Sequence, residues 1–109
     1  MSQIVSPETL VRRLPERDLQ DNVLEMARWL NWLTYHTFDS RRSQPGLPDI
    51  IAIRNQTVLW IELKKDDRAR LRPEQQLWSE KLLEAGQDYR RWSWTSWLSG
   101  EVERTLRED

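Results

Sequence analysis

The stretch Pro48-Asp49-Ile50-Ile51-Ala52-Ile53-Arg54-Asn55-Gln56-Thr57-Val58-Leu59-Trp60-Ile61-Glu62-Leu63-Lys64 decides the fold of this chain. Two apolar runs, 49–53 and 58–63, flank a few residues that include Asn55-Gln56, which is the pattern of a β-hairpin. A turn centred on Asn55-Gln56 sets Ile53 against Val58, Ile51 against Trp60 and Asp49 against Glu62. Two carboxylates therefore meet across the ladder at the end away from the turn. Ile51, Ile53, Val58 and Trp60 share one face, and Ile50, Ala52, Leu59 and Ile61 share the other. Two apolar faces predict helices on both sides of the sheet.

Working outward, Leu19, Val23, Met26, Ala27, Leu30 and Leu33 follow helical spacing and predict a helix from Glu16 to about Leu33, its apolar face widened by Trp29 and Trp32. Before it, Ser6-Pro7-Glu8 can cap a short helix that ends before Pro15. Thr34 to Phe38 reads as a strand, and Asp39 to Pro48 as a polar loop. Pro73 opens a second helix with Gln75, Trp78, Leu82 and Ala85 along one stripe and Gly86 as terminator. Tyr89 to Trp94 reads as a further strand, and Thr95 to Leu106 as a last amphipathic helix weakened by Gly100. The order is αβββαβ with an extra helix at each end, an α/β or α+β sandwich.

The chain has 109 residues, enough for one domain spanning 1–109, and no Cys, which excludes disulfide frameworks, Fe–S clusters and thiol nucleophiles. A single His leaves no His-based metal cluster. No apolar run reaches the roughly 18 residues that span a bilayer, and the N-terminus has no signal-peptide core, so a soluble, cytoplasmic protein without membrane partners is expected. At this size burial is modest, which makes a homodimer a reasonable expectation. The near balance of 17 Lys and Arg against 18 Asp and Glu conceals a division. Ser40 to Arg72 carries eight bases against four acids, and the remainder is acidic. A basic middle on an acidic frame can be a footprint for phosphates or a solvated mixed-charge surface.

Asp49 opens one hairpin strand, while Glu62 and Lys64 lie two apart on the other, so all three share a face. Two carboxylates and the carbonyl of Leu63 between them form a hard oxygen set suited to Mg²⁺ or Mn²⁺, and Lys64 adds a cation where a phosphate would sit. Such a cluster suits metal-assisted phosphodiester hydrolysis, with Lys64 orienting water or stabilising developing charge. On spacing alone, an ordinary cross-strand ion-pair cluster is the commoner explanation of such a trio.

Pro48-Asp49, then twelve residues, then Glu62-Leu63-Lys64 resembles the PD-(D/E)XK nuclease superfamily, whose core is αβββαβ with a mixed sheet flanked by helices. Glu16 with Gln20, Tyr35 to Ser43, Pro45-Gly46-Leu47-Pro48-Asp49, Glu62-Leu63-Lys64, and Leu71-Arg72-Pro73-Glu74-Gln75 with Trp78 and Ala85-Gly86 together resemble the virus-type replication-repair nuclease (VRR-Nuc) domain. The resemblance covers about residues 16–97 and is to the short, stand-alone phage and bacterial form. One departure is Asp66-Asp67-Arg68-Ala69, where that family commonly has a Gly after the lysine.

The resemblance implies Asp49, Glu62 and the Leu63 carbonyl as metal ligands and Lys64 as the catalytic lysine. It assigns Glu16 a further acidic position on the metal, direct or through water, and the helical stripe Glu16, Gln20, Val23 and Ala27 turns Glu16 and Gln20 toward the sheet. Gln75 matches the family glutamine and can bond the catalytic water or a phosphate. Ser40, Arg41, Arg42 and Ser43 are phosphate-contact candidates, as are Gln20, Lys65, Arg70 and Arg72. Arg68 belongs to the same charged loop. His36 is expected to line the core or the substrate, and the Trp residues to be mostly core, with Trp92, Trp94 and Trp97 as an alternative dimer patch. The implied activity is a Mg²⁺- or Mn²⁺-dependent, structure-selective DNA endonuclease similar to Holliday-junction resolvases, acting as a homodimer on four-way junctions. Another branched- or flap-DNA nuclease, a restriction-type endonuclease, a non-catalytic DNA-binding module, and a helical interaction protein unrelated to nucleic acid remain open.

Overall fold

The structure, a computed structural model, describes residues 5–38, 42 and 44–108. The elements run α1 (Pro7–Arg12), α2 (Glu16–Trp29), β1 (Leu33–His36), β2 (Ile50–Arg54), β3 (Thr57–Leu63), α3 (Pro73–Glu84), β4 (Asp88–Trp92), α4 (Trp94–Leu98) and α5 (Glu101–Glu108). The sheet order is β1-β2-β3-β4, antiparallel from β1 to β3 and parallel between β3 and β4. This is the expected α+β order, with the extra helices in place.

The hairpin register is the one predicted: Ile51 pairs with Trp60 and Ile53 with Val58, and the turn holds Asn55 at φ 54°. One sheet face carries Ile50, Ala52, Leu59, Ile61, Leu63 and Trp92, all buried against Leu19, Val23 and Ala27 of α2 and Val102 and Leu106 of α5. The opposite face is covered less fully than two apolar faces led us to expect. There α3 lies over the β3–β4 half, through Gln75 and its bond to Glu62, while Ile53 on β2 stays 41% exposed. This open half borders the carboxylates, which occupy the same face.

Element boundaries differ where single residues bend the chain. Helix α2 stops at Trp29 rather than near Leu33, because Asn31 adopts a left-handed φ of 69° and the Trp32 amide turns back to the Ala27 carbonyl. Leu33 thereby becomes the first residue of β1, which ends at His36 instead of Phe38. Strand β4 ends at Trp92, since the Ser93 hydroxyl caps α4 by accepting from the Thr95 amide. The expected C-terminal helix is two helices, divided at Ser99-Gly100, where Gly100 takes a φ of 87°. Trp92 and Trp94 are fully buried in the chain itself and so form no dimer patch, and Trp97 packs against the core; the outlying tryptophan is Trp29, 79% exposed.

Candidate active site

The site grows from the end of the hairpin. The Thr37 amide donates to the Asp49 carbonyl (3.0 Å), extending the β1–β2 ladder one step past Ile50. The same register places Asp49 opposite Glu62 and Glu62 beside Arg91 of β4. Asp49 is held by the Leu63 amide, which donates to its Oδ2 at 2.8 Å. Its approach is fixed by the loop before it. Gly46 has φ 91°, and a Cβ there would lie 2.3 Å from the Glu74 carbonyl oxygen and 2.8 Å from the Trp78 ring. Trp78 also donates from Nε1 to the Pro45 carbonyl (3.2 Å). Only glycine lets this loop lie against the first turn of α3.

Gln75 joins the functional groups. Its Nε2 donates to Glu62 Oε1 (3.0 Å), and its Oε1 accepts both from Lys64 Nζ (3.0 Å) and from the Arg72 amide (2.8 Å). The last bond satisfies a free amide at the start of α3, so one side chain caps the helix and spaces the lysine from the carboxylate. Lys64 is placed by its own amide, which donates to the Trp92 carbonyl (3.0 Å).

Glu62 is only 2% exposed. Burial, followed by the charge of Asp49 and a hydrogen bond shared with it, pushes its carboxyl up to about 9, against the opposing pull of Lys64. Glu16, the first residue of α2, is exposed at the rim, and its carboxyl is also raised, by partial burial first and then by Asp49. Two carboxylates held against each other with a third nearby are the charge arrangement that a divalent cation relieves. Asp49 and Glu62 supply a hard-oxygen donor set that fits Mg²⁺ or Mn²⁺. Among the described residues no group of three His, Cys, Asp or Glu side chains is assembled as a cage, so Glu16 stands beside the pair rather than closing one with it.

The structure thus brings together Asp49, Glu62, Lys64 and Gln75, with Glu16 at the edge. Gln20 is half-buried on α2, while the fully buried line of that helix runs through Leu19, Val23 and Ala27. Lys65, Arg70 and Arg72 are exposed on the loop after β3, as is Arg42 before β2. Ser40, Arg41 and Ser43 lie outside the described residues. Arg54, counted in the basic middle, does other work at the far end of the hairpin. It donates to the carbonyls of Leu30 (2.9 Å) and Arg107 (3.2 Å) and lies 4.6 Å over the Trp32 ring.

Sequence reasoning missed the fastening of the loop after Lys64. Arg91 donates to the carbonyls of Asp67 and Ala69, and the Ser93 hydroxyl bonds the Asp67 carboxylate. The hydroxyls of Ser93 and Thr95 hold the Asp67 carboxyl below its usual range. The period of two along β4 sets Arg91 on the Glu62 face and was the available signal. Asp67 thus staples this loop to the end of β4.

A four-stranded mixed sheet with helices on both sides and a carboxylate pair at the hairpin end is an α+β fold. A solved structure described as a VRR_NUC domain has this fold: the two agree with a TM-score of 0.66 over 85% of this chain and 95% of that one, at 20% sequence identity. No protein-family model and no curated protein matches the sequence.

Proposed function

We propose that this chain is a VRR-Nuc-type DNA endonuclease that hydrolyses phosphodiester bonds with Mg²⁺ or Mn²⁺, selects branched DNA such as the four-way junction, and works as a homodimer. The observation that carries the reading is the wiring of the Asp49–Glu62 pair through Gln75 to Lys64. A carboxyl pair buried for structure alone costs stability without return, whereas one beside an ammonium group is suited to cation and phosphate chemistry. The fold shared with a VRR_NUC domain points the same way.

In this mechanism Asp49, Glu62 and the Leu63 carbonyl would hold the ion, with Glu16 reaching it from the rim. When bound, the ion neutralises the phosphate and makes water a better nucleophile. Gln75 holds Lys64 and Glu62 at a fixed separation, keeping the ammonium beside the carboxyl pair. Lys64 orients the attacking water and stabilises the extra negative charge as the water oxygen bonds phosphorus and the bond to the departing sugar oxygen breaks. Lys65, Arg70 and Arg72, with Arg42, contact phosphates rather than bases, so binding weakens steeply with salt and shows little sequence preference.

The test is cleavage of a labelled four-way junction and a matched linear duplex, in Mg²⁺, Mn²⁺ or EDTA, by wild type and Lys64→Ala. Junction-selective, metal-dependent cutting that disappears in the variant is the expected result. Sedimentation of the protein alone should give twice the chain mass. Cutting of plain duplex at defined sites would replace the reading with a restriction-type enzyme, and binding without cutting would replace it with a non-catalytic module.

A further inference from the structure

In the register of β3 with β4, Trp60 lies beside Tyr89 and Glu62 beside Arg91. Alternation along β4 therefore puts Tyr89 on the face of Glu62, one two-residue step, about 7 Å, from the carboxylate row. That half of the face lies beneath α3, and the Tyr89 hydroxyl is buried there with no hydrogen-bond partner. A buried phenol left unpaired is uncommon in folded proteins, because its lost hydration goes uncompensated. Its surroundings offer an acceptor. Glu62 receives Gln75 on Oε1 and shares a bond with Asp49, which leaves unused acceptor positions, since a carboxylate has about four. The phenol therefore offers an unused donor on the carboxylate face.

We propose that Tyr89 is a positioning residue for the carboxylate pair, its hydroxyl holding Glu62 through one buried water. The inference rests on the nuclease reading above and extends it to a residue that touches neither substrate nor ion. A buried donor without a partner on the same sheet face as a buried carboxyl makes the polar, enclosed setting in which an internal water is retained. Such a water would fix the plane of the Glu62 carboxylate together with Gln75. Orientation matters because a carboxylate free to rotate presents a divalent ion with many poor geometries and one good one.

Tyr89→Phe removes the hydroxyl and keeps the ring, so packing beside Trp60 is retained. Mn²⁺ binding to the DNA-free protein, measured by calorimetry or by the spin resonance of free Mn²⁺, should weaken about tenfold. Cleavage should fall by a similar factor and recover in part at high Mn²⁺, while the melting temperature without metal stays near wild type. A merely structural tyrosine would shift the melting temperature and leave Mn²⁺ affinity alone. The proposal is overturned if Tyr89→Phe binds Mn²⁺ as wild type does while Glu62→Gln does not, an outcome that leaves the nuclease reading standing. Wild type that binds no Mn²⁺ and cuts no DNA ends both. A high-resolution crystal structure with no water on the Tyr89 hydroxyl overturns the proposal independently of any metal.

Discussion

The two ends of the central hairpin solve opposite problems with the same backbone. At the turn end, the Arg54 guanidinium sits between the carbonyl ends of α2 and α5 and above an indole, each contact favourable to a cation. At the other end, Asp49 and Glu62 are pressed together and one is almost wholly buried. The first charge is where a folded chain gains from having it. The second pair is where the folded chain loses, and the loss is kept in place by specific supports: the Leu63 amide on Asp49, and Gln75 between Glu62 and Lys64. The Arg54 charge is met by complementary groups within the chain, whereas the Asp49–Glu62 pair is only partly compensated, which supports the cation-binding role proposed above.

The largest effect that can break this contrast comes from neutralising the buried carboxylate. Glu62→Gln should lower cleavage by about a thousandfold or more, yet raise metal-free stability at pH 8, measured by thermal melting. Lower stability in that variant would show that the pair is structural. Gly46→Ala comes next. Its methyl group meets the backbone of Glu74 at 2.3 Å and its φ of 91° is strained for any side chain, so denaturant unfolding should show a loss of more than about 3 kcal/mol. A smaller loss would mean that the loop carrying Asp49 can withdraw from α3.

Arg54→Ala is the counterpart at the turn end. It leaves two carbonyls unpaired and uncovers Trp32, and should cost about 2 kcal/mol, roughly 10 °C in melting temperature. Cleavage per folded molecule should stay unchanged, and a loss of activity in fully folded variant would erase the distinction between the two ends. A pH slope tests the buried carboxyl without any substitution. Glu62 keeps its proton in the folded chain up to about 9, whereas the unfolded chain loses it near 4.5. Over that interval the folded chain binds more protons, so this group's contribution is fully present below the lower value and is lost as pH rises through the upper one. Melting temperature without metal should decline from pH 5 to pH 9, and added Mg²⁺ should flatten the decline; a rising curve would contradict the raised carboxyl.

Much of this was legible in the residues. The hairpin register followed from apolar alternation and a short turn, and once it was fixed Asp49, Glu62 and Lys64 shared a face without further information. The partners of Gln75 were less accessible. Its inward stripe pointed to burial, but the bond to the Arg72 amide depends on where α3 begins. Arg54 was misleading for a physical reason: it counts toward the basic excess of residues 40–72, but its role as a helix cap exists only because two distant helix ends converge on it. The break at Gly100 was visible as a weakness in an amphipathic pattern, but the pattern alone does not distinguish a strained helix from two helices. The rim position of Glu16 likewise depends on the tilt of α2, which periodicity does not set.

The staple on the loop after Lys64 bears on the thermodynamics of the phosphate contacts proposed above. Lys65, Arg70 and Arg72 ride on a segment already fastened to β4 by Arg91 and Ser93. Their backbone entropy has been surrendered on folding, so association need not supply it again. Such a surface should bind with a modest heat-capacity change, set by the area covered rather than by the folding of an arm, and its association rate should follow ionic strength rather than wait on a slow ordering step.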